Sequence, residues 1–419
     1  MSSYLGIDFG TSGARAIAID DTEQIRAQTS CRFTEAPDQA AMWHETLFTL
    51  IEQIPAACRA DVRSIAINGT SSTVLLCDER GEPISPPLLY NDARGAVELE
   101  ALRQQLQDAD TPERAIVLSA TSSLVKLLWW SRQVGFDRAR YLLHQADWLS
   151  FLLHGQLGIS DYHNCLKLGY DVRHLCYPGW LREMPIFSRL PTVLAPGTPI
   201  APVQSAIAQR FGLPTDCRVC AGTTDSIAAF LASGATTPGE AVTSLGSTLV
   251  LKLLSRTPVD RAEYGIYSHR LGEQWLVGGA SNTGGAVLQQ FFTPAELQQI
   301  SAHVPVDHPS PLDYYPLAQP GERFPISDPQ LAPRLQPRPE NPVEFLHGLL
   351  ESMARIEAEG YQLLQDLGAT PLAQVYTAGG GADNPAWTAI RARRLGASVA
   401  RSPQTEAAYG TARLAKWYG

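Results

Sequence analysis

The sequence predicts an α/β protein folded as two related units, one over residues 1–234 and one over 235–419. Three observations carry this expectation. The chain has 419 residues, well beyond the roughly 100–200 that a single core usually organises. Strand-like and helix-like periods alternate along it. A strand, a turn of glycine and hydroxyl residues, and a second strand occur twice, near residue 4 and near residue 241, which points to a duplicated domain with its boundary at about 233–240.

Composition narrows the function classes. Hydrophobic residues make up 44% and charged ones 18%, which excludes a disordered or fibrous chain. Lys and Arg number 33 against 42 Asp and Glu, a net charge of −9. No broad basic surface is therefore expected for nucleic acid or an anionic membrane, and an anionic ligand has to be held locally. The opening MSSYLGIDFG lacks a basic segment followed by an apolar one, and no run of about 20 apolar residues occurs, so a cytoplasmic protein is expected. Seven scattered cysteines fit reduced thiols rather than a disulfide frame.

In chain order, Tyr4–Asp8, Ala14–Asp20 and Ile25–Phe33 read as a three-strand meander whose first turn is Gly10-Thr11-Ser12-Gly13. A helix is expected over Trp43–Cys58, strands over Ser64–Asn68 and Val74–Cys77, and helices over Glu98–Leu106, Val125–Arg132 and Ala146–Leu153. Arg218–Ala221 reads as a buried strand, with Gly222-Thr223-Thr224-Asp225 turning it into a helix. Ala241–Leu245, Gly246-Ser247-Thr248 and Leu249–Leu254 repeat the opening pattern. Thr293-Pro294-Ala295-Glu296 is a capping box, and Asn341-Pro342 starts a helix that buries Leu346, Leu349, Met353 and Ile356. Between them, the proline-rich 305–339 is expected as a long surface loop.

Several of these turns carry chemistry. Asp8 closes a strand before a turn whose N–H groups and hydroxyls can hold phosphate, while the carboxylate can hold a metal ion; an ordinary hairpin uses the same residues. Asp225 opens a helix, where an acid is equally a routine cap. Gly246-Ser247-Thr248 is a second phosphate-sized turn. Gly379-Gly380-Gly381 follows the strand Val375–Thr377 and precedes Asn384-Pro385 and an outward-leaning Trp387, where a nucleotide could stack. Other patterns are set aside. Asp-Phe-Gly at the N-terminus has no protein-kinase Gly-rich loop or His-Arg-Asp beside it. Gly234–Gly239 has Glu240 where a Walker A loop needs lysine, and no dinucleotide G-x-G-x-x-G occurs. Cys217-x-x-Cys220 has no second pair, so structural cysteines are expected. Trp129-Trp130 reads as core.

Taken in order, Asp8–Ser12, Tyr90–Arg94, Lys126–Trp129, Gly222–Asp225, Ser244–Thr248, Gly278–Gly285, Gly321–Pro325 and Gly379–Trp387 resemble the FGGY family of carbohydrate kinases, of the actin/hexokinase/Hsp70 ATPase superfamily. Glu406–Ala415 resembles the family's last helix. The resemblance implies two ribonuclease-H-like domains, with a catalytic cleft between them where ATP, Mg²⁺ and a small sugar meet. It implies Asp225 as the catalytic base and a metal ligand, and Asp8 as a metal and sugar ligand. Thr11, Ser72, Asp92 and Arg94 are implied at the sugar; Thr11, Ser12, Gly13, Arg15, Gly246, Ser247, Thr248 and Gly285 at the ATP phosphates; and Gly380, Gly381, Asn384 and Trp387 at adenosine. Xylulose kinases of the family carry Met-His-Gly where this chain has Asn68-Gly69-Thr70-Ser71-Ser72. That stretch resembles a smaller plant and cyanobacterial type acting on D-ribulose, so a ketopentose phosphorylated on its terminal hydroxyl is expected, D-ribulose ahead of D-xylulose. A kinase of another sugar or polyol, or a non-catalytic nucleotide-binding regulator, is the alternative. A monomer or homodimer is expected.

Overall fold

The computed structural model describes residues 2–33, 39–107 and 112–417. The chain divides into two compact units, Met1–Ala232 with Glu406–Gly419, and Ser233–Thr405.

The first unit is built on a seven-stranded sheet. Ser3–Phe9, Gly13–Asp20 and Ile25–Arg32 form the antiparallel meander. Ser3–Phe9 then pairs in parallel with Val62–Gly69, setting Asp8 opposite Asn68. Arg218–Cys220 and Thr223–Thr224 lie parallel on the far side of Val62–Gly69, with Thr224 opposite Gly69. Both faces of the first strand are covered, so its side chains divide between two cores. Leu5, Ile7 and Phe9 join Trp43, Leu47 and Leu50 of the helix Ala40–Gln53. Tyr4 joins Ala408, Ala412 and Ala415 of the terminal helix Ala407–Trp417.

That terminal helix packs on the first unit, whereas the sequence reading groups it with the second half. Two glycines allow it. A Cβ on Gly6 would lie 2.1 Å from the Ala408 carbonyl oxygen and 2.2 Å from the Ala412 nitrogen, and one on Gly410 would lie 1.9 Å from the Ala228 carbonyl oxygen. Backbone therefore meets backbone on both sides of the helix. Ser64 Oγ donates to the Ala415 carbonyl at 2.7 Å, which satisfies one of the orphan acceptors at the helix end.

The second unit repeats the topology on a six-stranded sheet. Glu240–Leu245, Leu249–Ser255 and Gln274–Ser281 form the meander, and Gln374–Ala378 and Ser398–Arg401 add in parallel beside the first strand. The helix Pro342–Asp366, capped by Asn341, buries Leu346, Leu349, Met353 and Ile356 as its spacing predicts. Segment 305–339 is not the surface loop expected of it: Tyr314, Tyr315, Leu317 and Phe324 are buried in this unit's core. The Phe324 ring lies where Cβ atoms of Gly279 and Gly360 would be, 2.3 and 2.6 Å away. Prolines there fix an irregular path that still delivers aromatic side chains inward.

We predict that Gly410→Ala lowers unfolding free energy by about 3 kcal/mol or prevents folding. Gly179→Ala, where nothing lies within 4 Å of the new Cβ, should change stability by less than about 1 kcal/mol. Urea denaturation of the two variants checks the contrast.

Candidate active site

In the first unit, three adjacent parallel strands end together. Asp8, Asn68 and Thr224 stand at those ends, the edge at which open α/β sheets collect ligands. Each contributes a buried polar atom that has no hydrogen-bond partner among the described residues: Asp8 Oδ1, Asn68 Oδ1 and Thr224 Oγ1. An unsatisfied buried polar atom costs about 1–3 kcal/mol. Three at neighbouring strand ends mark a place built for a polar ligand rather than for packing. Asn68 is held from behind, its Nδ2 donating to Thr411 Oγ1 of the terminal helix at 2.6 Å.

Asp225 opens the helix Asp225–Ala232 directly after Thr224, and its carboxylate accepts from the Ser226 N–H at 2.7 Å. Burial, and next the negative charge of Asp225, push the Asp8 carboxyl up to about 7; Arg15 opposes this. Arg15 stands opposite Asp8 in the strand register and forms an ion pair with Glu406. Asp8 is therefore half protonated near neutral pH, with a second carboxylate close by. Gly222 permits this arrangement, since a Cβ there would lie 2.1 Å from the Ile67 carbonyl oxygen. Thr11 and Ser12 sit exposed in the turn closed by Gly10 N–H donating to the Gly13 carbonyl at 3.0 Å.

Past Gly69 the chain makes a tight turn. Gln145 Oε1 accepts from the Thr70 N–H at 3.1 Å, and Thr70 and Thr73 hydroxyls lie 2.5 Å apart. Ser72 has φ of 66° and a buried Oγ without a partner. Asp92 is held below the ordinary carboxylate range: burial opposes this, but hydrogen bonds and charge from Arg94 overcome it, including a 2.9 Å bond from Arg94 Nε. The Arg94 guanidinium lies 5.1 Å over the Trp129 ring, so Trp129 is half-buried and engaged, while Trp130 is core as expected.

In the second unit, glycines from two other segments converge on Gly246-Ser247-Thr248. The Gly285 N–H donates to the Gly246 carbonyl at 2.8 Å and the Ala286 N–H to the Ser247 carbonyl at 3.1 Å. Cβ atoms on Gly284, Gly285 and Gly379 would lie 2.7–2.8 Å from the Ser247, Gly246 and Leu245 carbonyl oxygens. Gly380–Asp383 forms a short turn of helix. Asn384 then caps Pro385–Leu395, accepting from the Trp387 N–H at 3.0 Å, and its Nδ2 donates to Ser301 at 2.8 Å. Trp387 does not lean outward: it is 2% exposed, and a Cβ on Gly381 would touch its ring at 2.7 Å. It supports the glycine turn from below.

Sequence reasoning passed over what aligns these turns. Arg391 and Glu357, both fully buried, pair at 2.6 and 2.8 Å. Arg391 also donates to Thr377, and Thr243 donates to Glu357 at 2.5 Å, which ties together the strands that precede Gly246 and Gly379. Glu322 similarly binds Ser281 Oγ at 2.5 Å and the Asn282 N–H at 2.7 Å. An acid and a base inside otherwise apolar helix faces were the available signal. Cys217 and Cys220 are buried core residues, as expected.

Two units of this topology, each with a glycine turn after its first strand, define a two-domain, actin-like α/β fold. The chain belongs to the FGGY family of carbohydrate kinases: residues 3–232 match that family's N-terminal domain and 241–418 its C-terminal domain. It is a sugar phosphotransferase with ATP as a substrate. A xylulose kinase of Escherichia coli strain K12 is 23% identical, over 99% of this chain and 89% of that one. Among solved structures, a xyloylose kinase from Brucella ovis superposes with TM-score 0.85 at 23% identity, over 99% of this chain and 90% of its own. A Plasmodium falciparum glycerol kinase with ADP gives 0.83 at 16%, over 100% and 90%. Among the described residues, no helix is long and apolar enough to cross a membrane.

The Asp8 carboxyl fixes a pH dependence. The folded chain keeps a proton that the unfolded chain releases near the ordinary value of 3.8, so this residue's contribution falls as pH rises from about 4 to about 7 and is constant above. Asp8→Asn is expected to leave stability nearly unchanged near pH 4 and to raise it by up to about 4 kcal/mol at pH 8. Urea titrations at both pH values measure the difference; a gain independent of pH contradicts the assignment.

Proposed function

We propose that this carbohydrate kinase phosphorylates a small ketose on its terminal hydroxyl, with a ketopentose as substrate and D-ribulose preferred to D-xylulose. The observation that carries the reading is the set of unpartnered polar atoms of Asp8, Asn68 and Thr224 beside Asp225. A polyhydroxylated ligand satisfies such atoms, whereas an apolar one leaves their cost in place. Ser72, in place of a Met-His-Gly sugar contact, supports D-ribulose, and the relatives named xylulose kinase support the pentulose class.

Asp225 is the base. Phosphoryl transfer needs positioning and charge neutralisation more than covalent chemistry, and a carboxylate within reach of the hydroxyl suffices to accept its proton. Asp8, together with Asp225, would hold Mg²⁺. The donor set fits: Mg²⁺ takes hard oxygens and binds through one or two carboxylates plus phosphate oxygens. Among the described residues, no group of three or more acidic, histidine or cysteine side chains could hold a metal by itself. When bound, the ion neutralises charge on the nucleotide phosphates. Raised toward 7 by burial and by Asp225, Asp8 loses its proton readily once a cation stands beside it. Backbone N–H groups of Ser247 and Thr248 would receive phosphate, while Gly246 and Gly285, whose N–H groups hold the turn's own carbonyls, let the main chain come close, with Gly380, Gly381 and Asn384 at adenosine; Thr11, Ser12, Gly13 and Arg15 would also contact phosphate. Trp387 serves as the floor of the glycine turn.

A coupled ADP-release assay over ketoses, aldoses and polyols tests the substrate. Turnover of D-ribulose above D-xylulose is expected; no turnover of any pentulose removes the ketopentose reading. Asp225→Asn should retain ATP binding and lose at least about 10³-fold in kcat. Near-normal turnover would remove Asp225 from the reaction.

A further inference from the structure

Lys126 lies on the helix Ser123–Ser131 between Val125 and Leu127, with no exposed surface. A lysine in such a run normally reaches water or a carboxylate. This one does neither. Its Nζ donates to the main-chain carbonyl of Ser72 at 2.7 Å and to that of Leu89 at 2.5 Å. Burial pushes the Lys126 amine down to about 7, with Lys167 and Arg94 adding to the fall and Asp92 opposing it. The two carbonyls belong to two different segments: the turn that follows strand Val62–Gly69, and the chain that enters Tyr90–Arg94.

Ser72 is the residue that needs holding. Its φ of 66° is left-handed without being glycine, and such a conformation persists only where surrounding contacts over-determine it. Thr70, Thr73 and Gln145 constrain the turn's start. Lys126 fixes the Ser72 carbonyl, and with it the direction of the Cα–Cβ bond that carries the unpartnered Oγ.

We propose that Lys126 is a positioning residue of the sugar site: its ammonium locks the Ser72 peptide in the left-handed turn and ties it to the backbone before Asp92, so that the Ser72 hydroxyl and the Asp92 carboxylate keep one fixed geometry toward sugar hydroxyls. This rests on the reading that Ser72 and Asp92 face the sugar. It requires no particular sugar.

The test compares Lys126→Met and Ser72→Ala, singly and combined, using whichever sugar the wild-type chain turns over. Each single change is expected to raise the sugar KM about tenfold while the ATP KM stays within about twofold, and the double variant to be no worse than the worse single one. A role in packing alone would lower the active fraction, and so kcat, with both KM values unchanged. If Lys126→Met does not fold, Lys126→Ala assayed with added propylamine, which supplies the missing ammonium, should regain the sugar KM. An unchanged sugar KM in any folded variant at either position, parallel rises in both KM values, or additive effects in the double variant overturn the proposal. Failure of every pentulose in the substrate panel removes the ketopentose reading and leaves this one to be judged on the sugar that is used.

Discussion

A carboxyl group taken out of water at the end of a parallel strand is the constraint around which the first unit is organised. Asp8 is half-buried with its Oδ1 shielded from water, and this desolvation, then the charge of Asp225, pushes its carboxyl up to about 7. That state is expensive, and a fold tolerates it only where the surrounding backbone is rigid enough to prevent relaxation. The rigidity is visible in the packing. Gly6, Gly222 and Gly410 each bring backbone to within 1.9–2.2 Å of where a Cβ would stand, so sheet, terminal helix and Asp225 helix meet without side chains to cushion them. Asn68, pinned by Thr411, continues the same plan one strand over.

The second unit uses the same chain path for the opposite electrostatic purpose. Its first strand carries Ser244, one residue before its end, where the first unit's carries Asp8, and the turn Gly246-Ser247-Thr248 is crossed by Gly284, Gly285 and Gly379. Where the first unit presents carboxylates, the second presents main chain. On the function proposed above, a protein of net charge −9 would accept a polyphosphate this way, with N–H groups and a cation, rather than a basic surface, as counter-charge. The buried Arg391–Glu357 pair aligns the two strands that carry these turns. Buried pairs of this kind contribute more to fixing geometry than to net stability.

Much of this was legible in the sequence because it is local. The two strand-turn-strand openings, the capping box at Thr293, the buried face after Asn341 and the acid at the start of a helix are all written within a few residues. What stayed hidden depends on contacts between distant segments. The need for glycine at 6 and at 410 appears only when Gly6 meets Ala408 and Gly410 meets Ala228, segments far apart in sequence. The proline-rich 305–339 looked exposed because it has no period, yet a cluster of aromatics can be buried from an irregular path. Trp387 looked outward because it follows three glycines; the same glycines leave room for it to fold beneath them. Lys126 was visible as a charge in an apolar run, but its two carbonyl partners, 54 and 37 residues away, were not.

The central claim is that partial burial and the neighbouring Asp225 charge together make Asp8 hold a proton that an exposed carboxylate would release. Carbon-13 NMR titration of the Asp8 carboxyl, in the wild-type chain and in Asp225→Asn, measures this directly. The account predicts a midpoint near 7 in the wild type that falls when the Asp225 charge is removed and stays above the ordinary carboxylate range, because burial remains. A midpoint near 4 in both proteins would contradict it.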